Sequence, residues 1–141
     1  MEHSFFHQQS QFARSFKKKL NEQLAKIGLF HSQWLLIYCL KQQKSATLVE
    51  LSNYLDVEKP TITRTVKRLE EQNLIENIPS HDKRERRIQL TDKGIHVYEE
   101  AIRIVSNFEQ GLVKEISERD LETTLRMIKC LKTNLTKEEF N

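Results

Sequence analysis

The sequence predicts a mainly α-helical chain with one small β-hairpin, and three observations carry that prediction. Chain-bending residues are scarce: 3 glycines and 2 prolines in 141 residues cannot supply the turns of a sandwich, a barrel or a doubly wound sheet. Apolar residues recur in steps of three and four along most of the chain. The main interruption is a run without apolar residues, Ser80 to Arg87, followed by the alternation Ile88-Gln89-Leu90. Leu, Ile, Val and Phe make up 41 of the 141 residues, too large a share for intrinsic disorder. The length suits a single domain, 1–141.

Each element has a local reason. Phe5, Phe12, Phe16, Leu20, Leu24 and Ile27 form one helical stripe, which Gly28 ends. Ser32 is placed to N-cap a second helix through Trp34, Leu35, Ile37, Tyr38 and Leu40. That helix is apolar on several faces and should be central and buried. Thr47 and Glu50 have the spacing of a capping box for a third helix, with Leu48, Leu51 and Leu55 as its buried edge. After a break at Asp56 to Lys59, Pro60 suits the first turn of a fourth helix, whose inner face is Ile62, Val66 and Leu69. Asn73 can take the left-handed conformation that stops this helix. Leu74 to Ile78 and Ile88 to Leu90 read as two strands around the charged run. Thr91 caps a fifth helix with a stripe at Tyr98, Ile102, Val105, Leu112 and Ile116, and Gly111 marks a bend. Ser117 caps a sixth through Leu121, Leu125, Ile128, Leu131 and Leu135.

Composition narrows the function classes. Lys plus Arg is 23 and Asp plus Glu is 20, so the net charge is only +3 and its placement matters more than its size. No apolar run reaches the length of a membrane span, and Met1 to Ser10 lacks the pattern of a signal peptide. Cys39 and Cys130 stand 91 positions apart, neither a disulfide framework nor a metal pair. The chain reads as cytoplasmic. There is no nucleophile elbow, zincin motif or phosphate-cradling loop, so an enzyme is not expected, nor a cofactor or resident metal.

A short helix, a turn and a second helix, followed directly by a hairpin, make a winged helix-turn-helix over 47–91. The fourth helix, 59–72, is the decisive element. With Ile62, Val66 and Leu69 inward, the steps of about 100° per residue turn Pro60, Arg64, Lys67 and Glu71 outward, with Thr61, Thr63 and Arg68 on the flanks. Lys59 to Arg68 holds four cations and no anion, and Thr61, Thr63 and Thr65 add hydroxyl donors. Such a face suits the major groove of double-stranded DNA, with cations on phosphates and Arg64 on a guanine edge. The alternative is an ordinary solvated helix face. The hairpin tip, 79–87, carries Lys83, Arg84, Arg86 and Arg87, with Asp82 placed to hold Arg84. A basic finger of this kind suits a minor groove; in isolation it could equally be a soluble loop.

The order of elements, with Thr61-Ile62-Thr63-Arg64 through Lys67-Arg68-Leu69-Glu70, Leu74-Ile75, Asp82-Lys83-Arg84 and Leu90-Thr91-Asp92-Lys93-Gly94, resembles the MarR family of bacterial transcription regulators over essentially the whole chain. The resemblance implies a repressor that binds pseudo-palindromic DNA as a homodimer held by the first and last helices, 1–28 and 117–141. It implies that Arg84 is the wing arginine and that Asp82 orients it. Asn73 stands where the family usually has glycine, and Pro60 where it often has a small polar residue. Independently, the apolar stripes on both terminal helices call for burial, which the partner surface of a two-fold dimer supplies; closure over the chain's own core is the alternative.

The resemblance also implies a small-molecule effector between the dimerisation helices and the DNA-binding lobe. Phe12, Phe16, Trp34 and Tyr38 are candidates to line that crevice, although core packing is the commoner role of such residues. Three alternatives stand beside this reading: a winged-helix module that binds acidic protein, a metal sensor using His3 and His7 with Glu2 and His31, and a thiol switch. Cys39 lies in an apolar run and reads as an inert core thiol, whereas Cys130, about 180° from Leu121 on the last helix, is expected to be partly exposed with Arg126 and Lys129 nearby in sequence.

Overall fold

The computed structural model describes the backbone of residues 2–137 and the side chains of residues 4–137. The elements run α1 (Glu2–Leu24), a 3-10 turn (Ala25–Ile27), α2 (His31–Gln43), β1 (Ala46–Thr47), α3 (Leu48–Leu55), α4 (Lys59–Glu71), β2 (Ile75–Ile78), β3 (Arg87–Leu90), α5 (Asp92–Leu112) and α6 (Glu118–Lys137). The chain divides into two compact units, one running to Phe108 and the other beginning at Glu109.

The first unit is built around α2. Leu36, Ile37 and Leu40 are fully buried there, together with Leu24 of α1, Leu51 of α3 and Leu69 of α4. The expectation for its start was wrong. The N-cap is Phe30, not Ser32. Gln33 Oε1 accepts the Phe30 N–H at 2.9 Å, and Asn21 Oδ1 of α1 accepts the His31 N–H at 2.6 Å. Side chains from the helix itself and from its neighbour thus satisfy the amides of the N-cap and of the first helical residue. Tyr38 also departs from the reading of α2 as central and buried: its side chain is exposed.

Thr47 caps α3 as its spacing with Glu50 foretells. Thr47 Oγ1 accepts the Glu50 N–H at 3.1 Å, and Glu50 Oε1 accepts the Thr47 N–H at 3.0 Å. Just before it, Ala46 and Thr47 add a third strand that the sequence did not announce. The sheet order is β1-β3-β2, all antiparallel, with Ala46 opposite Ile88 and Asn77 opposite Ile88 on the other side. β3 is therefore central, and its inward residues Ile88 and Leu90 are buried.

Asn73 adopts φ 61°, and the chain leaves α4 through it as expected. Thr91 then joins this turn to α5. Its hydroxyl donates to the Asn73 carbonyl at 2.7 Å and accepts the Gly94 N–H at 3.0 Å, while Lys93 Nζ donates to the Gln72 carbonyl at 2.9 Å. The Leu-Thr-Asp-Lys-Gly segment is thus a clasp that fixes the end of α4 against the start of α5.

The second unit holds the end of α5 and all of α6. Helix α5 ends at Leu112, so Ile116 lies outside the helix to which its spacing assigned it, and Glu115 turns the chain at φ 72°. Ser117 Oγ accepts the Asp120 N–H at 3.1 Å and caps α6 as expected. Along α6, Leu121, Leu125 and Leu135 are exposed, and Ile128 and Leu131 are half-exposed.

Candidate nucleic-acid interface

Helix α4 is strongly two-sided. Ile62, Thr65, Val66 and Leu69 are buried, whereas Lys59, Thr63, Arg64, Lys67 and Arg68 are exposed, so the spacing places Arg64, Lys67 and Arg68 correctly. Thr61 is half-buried and accepts a hydrogen bond from Arg64 Nη2 at 3.2 Å, which steadies the arginine near the start of the helix. Thr65 is a correction. Its hydroxyl is buried and donates to the Thr61 carbonyl at 3.0 Å, so it offers nothing to an outside ligand. The helix N-terminus has fewer open donors than a bare helix end. The Thr61 and Ile62 amides both reach the Glu58 carbonyl, and Pro60 has no N–H. Side-chain cations must therefore supply most of the attraction for an anion.

The wing is the connection 79–86 between β2 and β3. Asp82 Oδ1 accepts the Arg84 N–H at 2.9 Å and Arg84 Nε at 3.4 Å, and the Asp82 carbonyl accepts the Glu85 N–H at 3.0 Å. This turn leaves the Arg84 side chain 92% exposed, held at its base and free at its end. Lys83 beside it is exposed.

Arg86 and Arg87 differ from the expectation of four cations at the tip. Arg86 pairs with Glu70 and donates from Nε to Asn77 Oδ1 at 2.7 Å. Arg87 donates from Nη2 to Glu50 Oε1 at 3.0 Å and from Nη1 to Ser45 Oγ at 3.2 Å. Both are engaged within the lobe, so the outward charge of the wing lies at Lys83 and Arg84. Sequence reading missed their partners because these lie on other elements, 16 positions back for Glu70 and 37 for Glu50. Glu50 is also electrostatically marked: the Thr47 N–H bond, with help from the Thr47 hydroxyl and Arg87, holds its carboxyl below the usual range against a smaller opposing effect of burial.

The aromatic candidates form two groups. Phe16 packs between Phe12 and Phe108, with ring centroids at 5.9 Å and 5.5 Å, and Phe12 is exposed. Trp34 is buried, stacks on Tyr98 at 5.9 Å and meets Tyr38 at 5.6 Å. Cys39 is a buried thiol whose pKa is raised, chiefly by burial, and Cys130 is exposed. Of the histidines considered for metal, the side chain of His3 lies outside the described residues, as does that of Glu2. Among the described residues no group of three or more His, Cys, Asp or Glu side chains is placed to hold a metal, and no helix is long and apolar enough to cross a membrane.

The sequence matches the model of the MarR family over residues 29–86. An uncharacterised HTH-type transcriptional regulator of Bacillus subtilis, YwoH, is 42% identical over 82% of this chain and 85% of its own length. The structure of Staphylococcus aureus MarR in complex with salicylate and kanamycin superposes with a TM-score of 0.86 at 30% identity, over 98% of this chain and 94% of that one. A mutant MarR from E. coli complexed with operator DNA shares the fold, with a TM-score of 0.82 at 23% identity over 91% and 93% of the two chains. By sequence and by fold alike, this chain belongs to the MarR family of helix-turn-helix transcriptional regulators.

Proposed function

We propose that the protein is a sequence-specific DNA-binding repressor that acts as a homodimer on a pseudo-palindromic operator. Helix 59–72 enters the major groove and wing 79–87 the flanking minor groove. The observation that carries this reading is the pairing of two cationic features on one lobe. One is the α4 face with Lys59, Arg64, Lys67 and Arg68 exposed; the other is Arg84, pinned by Asp82 with its end free. Arg64 and Arg84 are the base and minor-groove readers, with Thr61 and Thr63 beside Arg64, and Lys67, Arg68 and Lys83 meet phosphates. Arg86 and Arg87 act from behind, through the acids they bind.

Dimerisation is proposed from unpartnered apolar surface. In the first unit Phe6 and Phe12 of α1 are exposed, and in the second Leu121, Leu125 and Leu135 of α6 are exposed. A second copy covering 1–28 and 117–141 removes these groups from water. The E. coli relative bound to operator DNA has the same fold and supports the DNA reading. The Staphylococcus aureus relative carries salicylate, which supports a small aromatic effector acting here near the two aromatic groups. Such a regulator works in the cytoplasm and has no catalytic step.

Electrophoretic mobility of labelled random-sequence duplex tests the DNA reading. The protein should retard it at low salt and release it steeply as salt rises, because counterions return to the phosphates. Absence of retardation at low salt, with capture of an acidic protein instead, would favour the protein-interaction module.

A further inference from the structure

The two inner arginines of the wing diverge. Arg86 binds Glu70 in the last turn of α4, and Arg87, the next residue and the first of β3, binds Glu50 in the first turn of α3. The base of the hairpin is thereby tied to both helices of the helix-turn-helix. Asn77 adds a cross-strand bond to Arg86 on the Glu70 side. The Arg86 and Glu70 side chains are 37% and 34% exposed, so their attraction is less screened than that of a fully solvated pair.

Glu70 is an oddity by charge alone. It lies on the same helix as Arg64, Lys67 and Arg68, and a carboxylate there repels a polyanion. Glu71, its neighbour, is exposed and has no ion-pair partner among the described residues, so only Glu70 has a compensating contact.

We propose that Glu70 is a positioning residue for DNA binding: by holding Arg86 it fixes the wing against α4, so that Arg84 meets the minor groove in register with Arg64 in the major groove. The proposal rests on the DNA reading above. It makes the sign of one substitution diagnostic. If Glu70 acted through its charge alone, neutralising it would tighten binding; as a positioning residue, its neutralisation loosens binding.

The test is a fluorescence anisotropy titration of the full chain onto a labelled duplex that the wild type recovers from a random-sequence pool. Glu70→Gln should weaken binding about fivefold, the scale of one partly exposed ion pair. Glu71→Gln should leave binding unchanged or tighten it. Arg84→Ala should cost far less in the Glu70→Gln background than in the wild type, a coupling that a merely structural role would not produce. Should Glu70→Gln fold poorly by thermal melt, the exchanged pair Glu70→Arg with Arg86→Glu decides: it should bind within about threefold of the wild type, where Glu70→Arg alone does not. Tightening by Glu70→Gln, or an Arg84→Ala cost equal in both backgrounds, overturns the proposal. A wild type that recovers no duplex overturns the DNA reading itself, and this proposal with it.

Discussion

Gly94 packs against the main chain of Leu74 so closely that a Cβ added at Gly94 would stand 2.1 Å from the Leu74 carbonyl oxygen. The obstacle is backbone, already held by the Thr91 N–H at 3.0 Å, and cannot step aside as a side chain could. Gly94→Ala should therefore destabilise by about 1–3 kcal/mol. Gly111, in the last turn of α5, has nothing within 4 Å of such a Cβ, so Gly111→Ala should be neutral or stabilising by up to about 1 kcal/mol. Urea unfolding of both variants checks this, and equal effects at the two glycines would contradict it.

Stability should fall in acid in two stages. Burial, aided by the nearby Lys17 charge, lowers the His31 pKa from its ordinary 6.5. The Thr47 N–H bond leads the effects that lower Glu50 from 4.5. For both groups the folded state binds fewer protons than the unfolded state, so their contribution is present above the ordinary value and is lost as pH falls toward the folded one. Unfolding free energy should begin to drop just below pH 6.5 through His31 and drop further below 4.5 through Glu50. His31→Asn should flatten the first stage and Glu50→Gln the second, measured by urea unfolding at a series of pH values. A slope unchanged by either substitution would refute that assignment.

Arg64→Ala should cost about 1–3 kcal/mol on a specific site and relax the preference at one position of each half-site. Titration of a panel of single-base variants reads this directly. An equal loss on specific and random duplex would reduce Arg64 to a phosphate contact.

Arg84→Ala should weaken binding most on A·T-rich flanks, where a narrow minor groove concentrates negative potential. It should also lower the slope of log affinity against log salt by about one for each phosphate that the arginine no longer neutralises, or about two per dimer. Asp82→Asn should give a milder form of the same defect, because the Arg84 N–H and Nε lose a charged acceptor. Unchanged binding by Arg84→Ala would take the wing out of recognition.

What was legible in the sequence was what depends on near neighbours. The Thr47–Glu50 box, the Asp82–Arg84 turn, the left-handed Asn73 and the outward cations of α4 all follow from spacings within one or two helical turns. What escaped depends on chain folded back from elsewhere. Asn21 is 10 positions from the amide it caps at His31, Glu50 is 37 from Arg87, and the two residues of β1 have no period to betray a strand. The apolar run of α2 did indicate burial, but not that Tyr38 would emerge from it. The count that turns Arg64 outward also sets Thr65 beside Leu69 on the inner side, so its burial follows from spacing; only the bond from its hydroxyl to the Thr61 carbonyl did not.

In the proposed function, α4 and the wing of two linked chains read two copies of one DNA sequence. Hydroxyl-radical footprinting of the wild-type protein on the genomic fragments it retains tests this most directly. Protection should fall on two inverted half-sites about one helical turn apart, or slightly more, each flanked by a protected minor groove where Arg84 reaches. A single non-repeated protected site, bound tightly by a chain that sediments as a monomer, would contradict it.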